Sequence, residues 1–418
     1  DIISQIDVEQ VFSKDFKDRL EKHLFLHGTM ILHNLEYDFI NNKTGNHYLA
    51  NICGLLWVSM YFSEERLFRY AKEELFKQIK LQFLADGSNI ECSSAYHRLS
   101  SELSALGILA IKAKNPNRRI PDEIINRLVG MRRILINLLG TDGNMTQIGD
   151  NDSGRVLKIN PYYKDLIENT LRVDDVLDFL NGLFGDYCKG MSISDIYSIS
   201  AFNIHQRDID SLIMDKDFSR ELKLDRLHEY PFHQQHCIAA PIGLDFSNFK
   251  IVHERGFAFL LLRWDGADLF IRTIPEYKRM LLAHAHDDIF HYELCTLHGR
   301  HHPDCGSVSY MSSKKYRQFF SENTGHNVPI HREFLLKRTG RFTACVPARV
   351  KGYVIVEQNI IYVCVETQSY KHIRAFSINK DCVVIDDYSD ECFVLNCIPD
   401  GLESFGYGQL FGDIGATK

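Results

Sequence analysis

The sequence predicts an α+β multidomain protein, in which a helical domain (residues 1–220) precedes an antiparallel β-sandwich domain (residues 221–418). Two observations predict this fold class. Apolar residues recur at three- and four-residue steps up to about residue 220, as in amphipathic helices. Short alternating strands separated by turn residues dominate after about residue 225. A run of helices followed by a run of strands indicates two packed layers or two domains.

The first half contains six segments with helical periodicity. They are VEQVFSKDFKDRLEKHLFLHGTMIL (8–32), NHYLANICGLLWVSMYF (46–62), EERLFRYAKEELFKQIKLQFL (64–84), CSSAYHRLSSELSALGILAIKA (92–113), PDEIINRLVGMRRILINLLG (121–140) and VDDVLDFLNGLFG (173–185). Pro121 stands at a helix start and Gly185 after a helix end, which are typical positions for both residues. Such helices suggest a bundle, a solenoid or an α/α toroid, and the lack of a fixed-period repeat disfavours the common solenoids.

The second half contains eight strand-like segments. They are FKIVHERG (249–256), FAFLLLRWD (257–265), DLFIRTI (268–274), FTACVPARV (342–350), KGYVIVEQN (351–359), IIYVCVET (360–367), HIRAFSI (372–378) and CVVIDDY (382–388). Their spacing is typical of an antiparallel sandwich. We expect the domain boundary near residues 210–235, in the polar stretch RELKLDRLHEYPFHQQH.

Composition excludes several classes of function. The net charge of −7 and a pI near 6.3 argue against a general nucleic-acid binder, because no basic field would attract phosphates. No window approaches the ~20 apolar residues of a membrane span. The chain begins at Asp1 without a leader, which suggests a processed or trimmed form. Eleven cysteines without a CxxC pair argue against a zinc knuckle and fit a reducing compartment.

The stretch LLAHAHDDIFHYE (281–293) places titratable groups inside an apolar run that we interpret as a β-strand. Alternate residues on a strand share a face, so His284, His286 and Asp288 are expected to project together. With Asp304 and His326 further along, His286 could complete a zinc site. The alternative is that these histidines are solvated or satisfy hydrogen bonds in the core.

Polar segments in the helical half have simple structural explanations when each is taken alone. Asn46 in TGNHYLAN suits a helix N-cap, and His47 an exposed first turn. In QFLADGSNIECSSAYHRLSSE, Tyr96 would ordinarily be a core residue with a satisfied hydroxyl. The loop IGDNDSGR (148–155) lacks the ligand order of an EF-hand, so a solvated turn is the default interpretation.

Together, these segments resemble the heparinase II/III-like polysaccharide lyases, which pair a helical toroid with a C-terminal antiparallel β-sandwich. Four motifs carry the resemblance, in the family's order and over nearly the whole chain. They are an NH pair (Asn46, His47), a Q…DG…E.S..YH segment (Gln82, Asp86, Gly87, Glu91, Ser93, Tyr96, His97), a GDxDxGR loop (Gly149 to Arg155) and an HxHxD…DxG…HN series (His284, His286, Asp288, Asp304, Gly306, His326, Asn327).

The resemblance implies cleavage of a uronic-acid glycan by β-elimination. Asn46 and His284 would then polarise the uronate carboxylate, and Tyr96 would protonate the leaving glycosidic oxygen. Tyr96 would also be the base if both reacting atoms lie on one face of the sugar ring, and His47 would be the base otherwise.

The resemblance also implies supporting groups. A zinc ion held by His286, Asp304 and His326 would organise His284 rather than act on the substrate. Apart from the resemblance, a Tyr base must overcome an ordinary pKa of about 10, and we expect His97 or Arg98 to supply the positive charge that this requires. The implied substrate-binding residues are Gln82, Glu91, His97, Arg98, Asp152 and Arg155.

Two other functions stay open from the sequence alone. HAHDD fits the H-x-H-x-D core of binuclear zinc hydrolases, although Ile289 stands where their next histidine is expected. A catalytically inactive glycan-binding protein on the same scaffold is the second. The expected partner is an anionic polysaccharide, with no nucleic acid and no membrane span. The resemblance implies a periplasmic or secreted location, whereas the cysteine usage also fits the cytoplasm.

Overall fold

The computed structural model describes most of the chain. The described residues are 12–37, 44–158, 163–164, 167–183, 224–240, 245–275, 284–307, 314–331, 337–340, 343–345, 350–396, 403–406 and 409–411. The predicted boundary at residues 220 and 221 and Gly185 lie outside them. The division into domains at that point therefore stays a prediction.

The described N-terminal half is helical, as predicted. Its helices are α1 (Lys14–His33), α2 (Asn46–Tyr61), α3 (Glu65–Gln82), α4 (Ser94–Lys114), α5 (Asp122–Leu138) and α6 (Asp174–Leu183). Buried apolar side chains from α2 to α6 form one core, which includes Leu49, Leu75, Ile108, Leu135 and Leu180. The helical half is confirmed, whereas closure into a toroid stays a prediction.

Local sequence explains where the helices that matter for the site begin. Ser93 caps α4, because its side-chain oxygen accepts a hydrogen bond from the Tyr96 backbone nitrogen. Helix α2 begins at Asn46, and its N-cap is Gly45 without a side-chain cap bond. The expectation that Asn46 is the N-cap is therefore wrong by one residue. Asn46 is the first helical residue, and its side chain is free to bond elsewhere.

The C-terminal half is built mainly from two five-stranded antiparallel sheets. The first has the order β4 (Lys250–Glu254), β5 (Phe259–Trp264), β6 (Ala267–Arg272), β7 (Tyr292–Thr296) and β8 (Gly299–His301). The second has the order β12 (Lys351–Glu357), β13 (Ile360–Glu366), β14 (Lys371–Ile378), β15 (Cys382–Ser389) and β3 (Phe232–Ala239). Strand β3 was missed, because its sequence FHQQHCIA is polar and mostly exposed.

Shorter elements complete the described chain. They are the paired strands β1 (Tyr163–Lys164) with β2 (Ile167–Glu168), β10 (Lys337–Gly340) with β11 (Thr343–Cys345), β17 (Glu403–Gly406) with β18 (Gln409–Phe411), and β9 (Pro329–Ile330) with β16 (Val394–Leu395), together with helix α7 (Lys314–Ser321) and 3-10 turns at Leu224–Glu229 and Asn323–Gly325. Helix α7 and the turn after it lie between the Asp304 and His326 segments.

Both faces of the sheet β4–β8 are buried, so the helices, this sheet and the second sheet form three layers. On β5, Leu260 and Leu262 pack into a core shared with strands of the other sheet. Their neighbours Phe259 and Leu261 belong to the core of the helices. Because alternate strand residues point to opposite faces, β5 lies between the two cores. Of the two alternatives left open by the sequence, packed layers are therefore observed between the helices and the sheet β4–β8.

Buried ion pairs also join the helices to this sheet. Arg133 on α5 donates from Nε and Nη2 to the two carboxylate oxygens of Glu254 on β4, each at 3.0 Å. Asn137 donates to Glu254 at 2.7 Å. Arg300 on β8 makes a bidentate contact with Asp142, at 2.9 and 3.0 Å, in the turn after α5. These bonds fix the orientation of helix α5 and the turn after it relative to the sheet β4–β8.

None of the helices in the described ranges is both long and apolar enough to cross a membrane. Eight of the cysteines within those ranges are free thiols, including Cys53, Cys92 and Cys305, which are buried.

We predict that Arg300→Met strongly destabilises the protein. Arg300 also pairs with Glu293, whose side chain is 2% exposed, so the substitution leaves a buried carboxylate without its counter-charge. Breaking such a pair typically costs about 3–5 kcal/mol. Urea denaturation would measure the loss. The control is Arg119→Met, which breaks an exposed pair with Asp122 and should cost about 0–1 kcal/mol. Equal losses in the two variants would refute the assigned role of Arg300.

Candidate active site

The site is organised around the carboxylate of Asp150, which lies in the loop that follows α5. Ser93 donates from its hydroxyl to the Asp150 carbonyl at 2.6 Å, and the Asp150 amide donates to the His284 carbonyl at 2.9 Å. Gly149 precedes it with a φ of +67°, and a Cβ there would stand 2.4 Å from the His284 carbonyl oxygen. The glycine is therefore required for the close approach of the two loops.

The Asp150 carboxylate joins two histidines of the sheet half. Oδ2 lies 3.0 Å from His284 Nδ1, and Oδ1 lies 3.0 Å from His286 Nε2. Arg317 on α7 also pairs with Oδ1. Burial opposes ionisation, but hydrogen bonds from the two rings and the charge of Arg317 hold the pKa of Asp150 far below its usual value. Because an ionised carboxylate only accepts hydrogen bonds, Nδ1 of His284 and Nε2 of His286 carry the protons.

Tyr96 and His284 come together from the two halves, as predicted. Their rings are stacked with centroids 3.6 Å apart and an interplanar angle of 6°. The Tyr96 hydroxyl donates to Asp152 Oδ2 at 2.8 Å. Tyr96 lies in the first turn of α4, so the Ser93 hydroxyl that caps this helix also fixes the Asp150 loop. One serine thus sets the relative positions of the phenol and the carboxylate.

Asn46 and Glu91 border the other side of His284. Asn46 donates from Nδ2 to Glu91 Oε2 at 2.9 Å and from its backbone nitrogen to Oε1 at 3.2 Å. Glu91 Oε2 stands 3.8 Å from His284 Nε2, and the His284 amide donates to the Glu91 carbonyl at 3.2 Å. Gln82 donates to the Gly45 carbonyl at 2.9 Å and so supports the start of α2. Asn46, Glu91 and His284 form one polar cluster.

His286, Asp304 and His326 form a group with the geometry of a metal site. One ligand atom from each residue lies within 4.8 Å of the other two, and all three residues are buried. Asp304 Oδ2 is 2.8 Å from His326 Nδ1. Burial raises the pKa of Asp304, but the neighbouring His326 outweighs burial and lowers it to about 2. The group therefore offers an ionised carboxylate in a buried position.

The donor atoms fit a metal ion. His286 Nδ1 and His326 Nε2 are buried ring nitrogens with no hydrogen-bond partner. Burial lowers the pKa of His286, which keeps its ring neutral, and its proton lies on the nitrogen facing Asp150. The remaining nitrogen then has a lone pair directed into the group, as a ligand requires. An unpaired buried lone pair is costly unless something binds it.

His291 also faces this group but is unsuited to bind a metal through Nε2. Its Nδ1 accepts a hydrogen bond from the Asn327 backbone nitrogen at 3.1 Å. Burial lowers the pKa of His291 to about 4, so the ring is neutral and its proton lies on Nε2. That nitrogen is 3.9 Å from Asp304 Oδ2. His291 therefore presents a proton to Asp304 rather than a lone pair to a cation.

The buried side chain of Arg374 supports the loops that carry these residues. Arg374 on β14 donates from Nη1 to the Phe290 carbonyl and to the Asn327 carbonyl, each at 2.9 Å. Its Nε and Nη2 bind both oxygens of Asp387, at 2.8 and 2.9 Å. The loop of His284 and the loop of His326 are thus tied to the same strand.

The interpretation of residues 281–293 as a strand is wrong where the structure describes them. Residues 284–291 are turns and irregular backbone, and β7 begins only at Tyr292. Phe290 has a φ of +79°, which a strand excludes. His284 and His286 still point to the same carboxylate, whereas Asp288 accepts from Arg272 at 2.9 Å. The grouping of Asp288 with the two histidines is therefore incorrect.

Several residues expected to bind substrate have structural roles instead. His97 is fully buried between Phe83 and Phe257 and bonds the Met131 carbonyl at 3.1 Å, while burial lowers its pKa to about 4. It cannot supply a positive charge at neutral pH. Arg98 is also fully buried and donates to the carbonyls of Thr170 and Arg172. Neither side chain is accessible to a glycan.

The structure places His47 on the surface, where its side chain is 68% exposed and bonds Glu36 at 2.7 Å. Arg155 lines a cleft with Glu102 and Arg172, and its contact with a substrate stays a prediction. Asp152, expected to bind substrate, is the hydrogen-bond partner of Tyr96.

Sequence reasoning missed Asp150, Arg317, His291 and Arg374. For Asp150 a signal existed, because it is the first aspartate of the GDxDxGR loop that the resemblance had singled out. The other three carry no local motif. Contacts with distant segments place them, as in the bond between the Asn327 amide and His291, which are 36 residues apart.

Comparison with known proteins supports the resemblance. Residues 8–169 match the family model described as Heparinase II/III N-terminus. A crystal structure of heparinase III is similar over 92% of this chain and 53% of that one, with a TM-score of 0.58 and 16% identity. A heparinase III gene product with methylated lysines is similar over 87% and 47%, with a TM-score of 0.52 and 16% identity.

These comparisons confirm the family resemblance for the N-terminal part and the fold for most of the chain. The chain spans about half the length of the structures that it matches. No curated protein has a significantly similar sequence.

We predict that Gly149→Ala disturbs the site and the fold together. The new methyl group would meet the His284 carbonyl at 2.4 Å, and a φ of +67° is strained for alanine. Thermal unfolding should show a lower midpoint. The matched control is Gly182→Ala, because Gly182 lies in helix α6 with nothing within 4 Å of its Cβ position. That change should stabilise slightly, by up to about 1 kcal/mol. A tolerated Gly149→Ala would contradict the close approach.

Proposed function

We propose that this chain is a polysaccharide lyase that cleaves a uronic-acid-containing glycan by β-elimination. The observation that supports this most directly is the stacking of Tyr96 on His284 at 3.6 Å, next to the Asn46–Glu91 pair. A phenol, an imidazole and an amide from separate segments meet at one point between the two halves. The names of the similar structures, both heparinase III, suggest a glycosaminoglycan of the heparin type as the first substrate to test.

The reaction requires removal of a weakly acidic proton from the sugar carbon beside the carboxylate. Negative charge then develops on that carboxylate, and hydrogen-bond donors directed at it lower the barrier. One such donor is worth about 2.7–4 kcal/mol in comparable sites. We assign this role to the Asn46 amide and to the His284 ring in its imidazolium form. Glu91 orients the amide, and Asp150 accepts from His284 Nδ1, so His284 would donate to the uronate from Nε2 with both ring nitrogens protonated.

We assign the proton transfers to Tyr96. As the phenolate, its oxygen would take the proton from the ring carbon, and the hydroxyl so formed would then protonate the glycosidic oxygen as the carbon–oxygen bond breaks and the carbon–carbon double bond forms. Tyr96 ends this cycle as the phenolate with which it began. A phenol has an ordinary pKa of about 10, so the base step needs assistance. Asp152, whose Oδ2 accepts a hydrogen bond from the Tyr96 hydroxyl at 2.8 Å, is positioned to receive the phenol proton, and His284 is stacked on the Tyr96 ring.

The exposed position of His47 favours Tyr96 as the base over His47. His47 is hydrogen bonded to Glu36 on the protein surface, whereas Tyr96 is buried against His284. A single residue that acts as both base and acid implies that the proton and the leaving group are on the same face of the sugar ring. We therefore propose syn elimination.

We further propose that the metal is Zn²⁺, held by His286, Asp304 and His326. Two imidazoles and a carboxylate suit zinc. The ion would supply a fixed positive charge that holds His286, and through Asp150 it would fix His284. The contacts of Asp150 support this organising role, because one carboxylate oxygen binds His286 and the other binds His284. A periplasmic or secreted location remains part of this proposal, resting on the resemblance alone.

The rival binuclear zinc hydrolase has less support. Within the described ranges, one group of three histidine or acidic residues has metal-ligand spacing, and Asp288 of the H-x-H-x-D pattern is paired with Arg272 instead. A hydrolase would produce new reducing ends without an unsaturated sugar. An inactive binding protein would produce neither.

We predict that Tyr96→Phe reduces turnover of a uronate polysaccharide by about 10²- to 10⁴-fold, because the variant lacks the proton-transferring hydroxyl. Activity is measured by the ultraviolet absorbance of the unsaturated uronate product, over a panel of heparin, alginate and bacterial exopolysaccharide. Tyr61→Phe is the control, since Tyr61 is 50% exposed on the surface. Full activity of Tyr96→Phe would disprove the assignment, and reducing ends without the absorbance would indicate hydrolysis.

We predict that the purified protein holds one zinc ion and that His286→Ala and His326→Ala lose it. Metal analysis of the dialysed variants tests this without reference to activity. His233→Ala is the control, because His233 is partly exposed and bonds Asp386 outside the group. Zinc should also raise the melting temperature of the native protein but not of the two variants. Retention of zinc by His326→Ala would rule out the proposed ligand set.

A further inference from the structure

A cavity of about 220 Å³ lies between the first turns of α3 and the last turn of α4. Four cationic side chains line it, Arg69, Lys72, Lys114 and Arg118, together with one carboxylate, Glu65. Phe68 provides an apolar wall. We call it the α3–α4 basic cavity.

The charges in this cavity are poorly balanced. Lys114 pairs with Glu65 at 2.6 Å, and its ammonium stands 4.5 Å from the centroid of the Phe68 ring. In the part of the chain that the structure describes, no ion pair joins Arg69, Lys72 or Arg118 to an acidic group. Four cations and one carboxylate give a local charge of +3, on a chain whose net charge is −7. Arg69 and Arg118 are exposed, and Lys72 and Lys114 are half-buried, so an anionic ligand can reach this positive patch from solvent.

The cavity is well separated from the candidate active site. Tyr96 lies in the first turn of α4 and Lys114 is its last residue, so 18 residues separate them along one helix. At 1.5 Å per residue this distance is about 27 Å. A ligand in the cavity does not contact Tyr96 unless it is a long polymer.

We propose that the α3–α4 basic cavity anchors the acidic groups, sulfate or carboxylate, of the same anionic polysaccharide that the active site cleaves. The identity of this ligand rests on the proposed function. Guanidinium groups bind such oxyanions in a bidentate manner, which suits Arg69 and Arg118. Remote anchoring would increase affinity for a long chain without changing the chemical step.

The test is the triple variant Arg69→Gln, Lys72→Gln and Arg118→Gln, compared with Lys22→Gln, Lys250→Gln and Lys380→Gln. The control removes the same three charges from exposed positions outside the cavity. Equilibrium binding of polymeric heparin is measured on a Tyr96→Phe background, so the result does not depend on turnover. The cavity triple should weaken binding about tenfold or more, as expected for the loss of charged hydrogen bonds. The control triple should change it much less, and both should melt at the native temperature.

A second arm measures kinetics on the chain with Tyr96 intact. The cavity triple should raise KM for the polymer and leave kcat unchanged, while KM for a tetrasaccharide, which is too short to reach from the site to the cavity, stays constant. Alginate in place of heparin separates carboxylate from sulfate recognition. Weakened polymer binding without any cleavage in the native chain would sustain the anchoring site and refute the lyase.

Three results would overturn the anchoring proposal. They are unchanged polymer binding by the cavity triple, an equal loss in the control triple, and a loss of binding to vesicles of anionic phospholipid with no loss for heparin.

Discussion

The buried carboxylate of Asp150 is the interaction on which the rest of the site depends. It comes from the helical half, and the two rings that it binds come from the sheet half. Each of its oxygens accepts from a different ring, so movement of either half would leave a buried charge without its hydrogen bonds. Truncating one partner of such a group costs several kcal/mol. The same contact therefore holds the halves together and selects the tautomers of His284 and His286.

Other contacts between the helical half and the sheet half hold this arrangement in place without a ligand. Glu254 is held by Arg133 and Asn137, and Arg300 by Asp142, so helix α5 and the turn after it are tied to two edges of the sheet β4–β8. Arg374 ties the loops of His284 and His326 to the second sheet. Preorganised donors need no rearrangement as charge develops in a reaction, which is why catalytic sites are built on such frameworks.

The sequence was sufficient for the elements whose burial follows a simple period. Helices α2 to α5 begin and end within a few residues of the predicted segments, because apolar side chains facing one core recur every three or four positions. Strands β12 to β15 match for the same reason. Strand β3 did not, because its side chains face solvent and its place is set by pairing with β15. Cross-strand pairing of that kind has no local signature.

The site was predictable only where a motif identified it. Tyr96 and His97 are adjacent and both buried, yet one faces His284 and the other Met131 and two phenylalanines. On a helix, neighbouring residues point about 100° apart, and only tertiary packing decides which direction leads to the site. The error over residues 284–291 has a related cause. Their amides bond to distant groups, as Asp287 does to the Ser321 carbonyl and Phe290 to the Arg272 carbonyl, and alternation in the sequence carries no information about such partners.

The His286 ring connects the group of His286, Asp304 and His326 to the cluster around His284. Its Nε2 bonds Asp150, and its Nδ1 has no partner among protein atoms. Asp150 in turn bonds His284, which stacks on Tyr96. A cation bound to Nδ1 would hold the His286 ring in the orientation in which Nε2 bonds Asp150. The His286 ring and the Asp150 carboxylate would then lie between the cation and His284. Because the oxygens of Asp150 bind His284, His286 and Arg317, a cation held by His286 in the proposed lyase would influence the reaction through the position of His284.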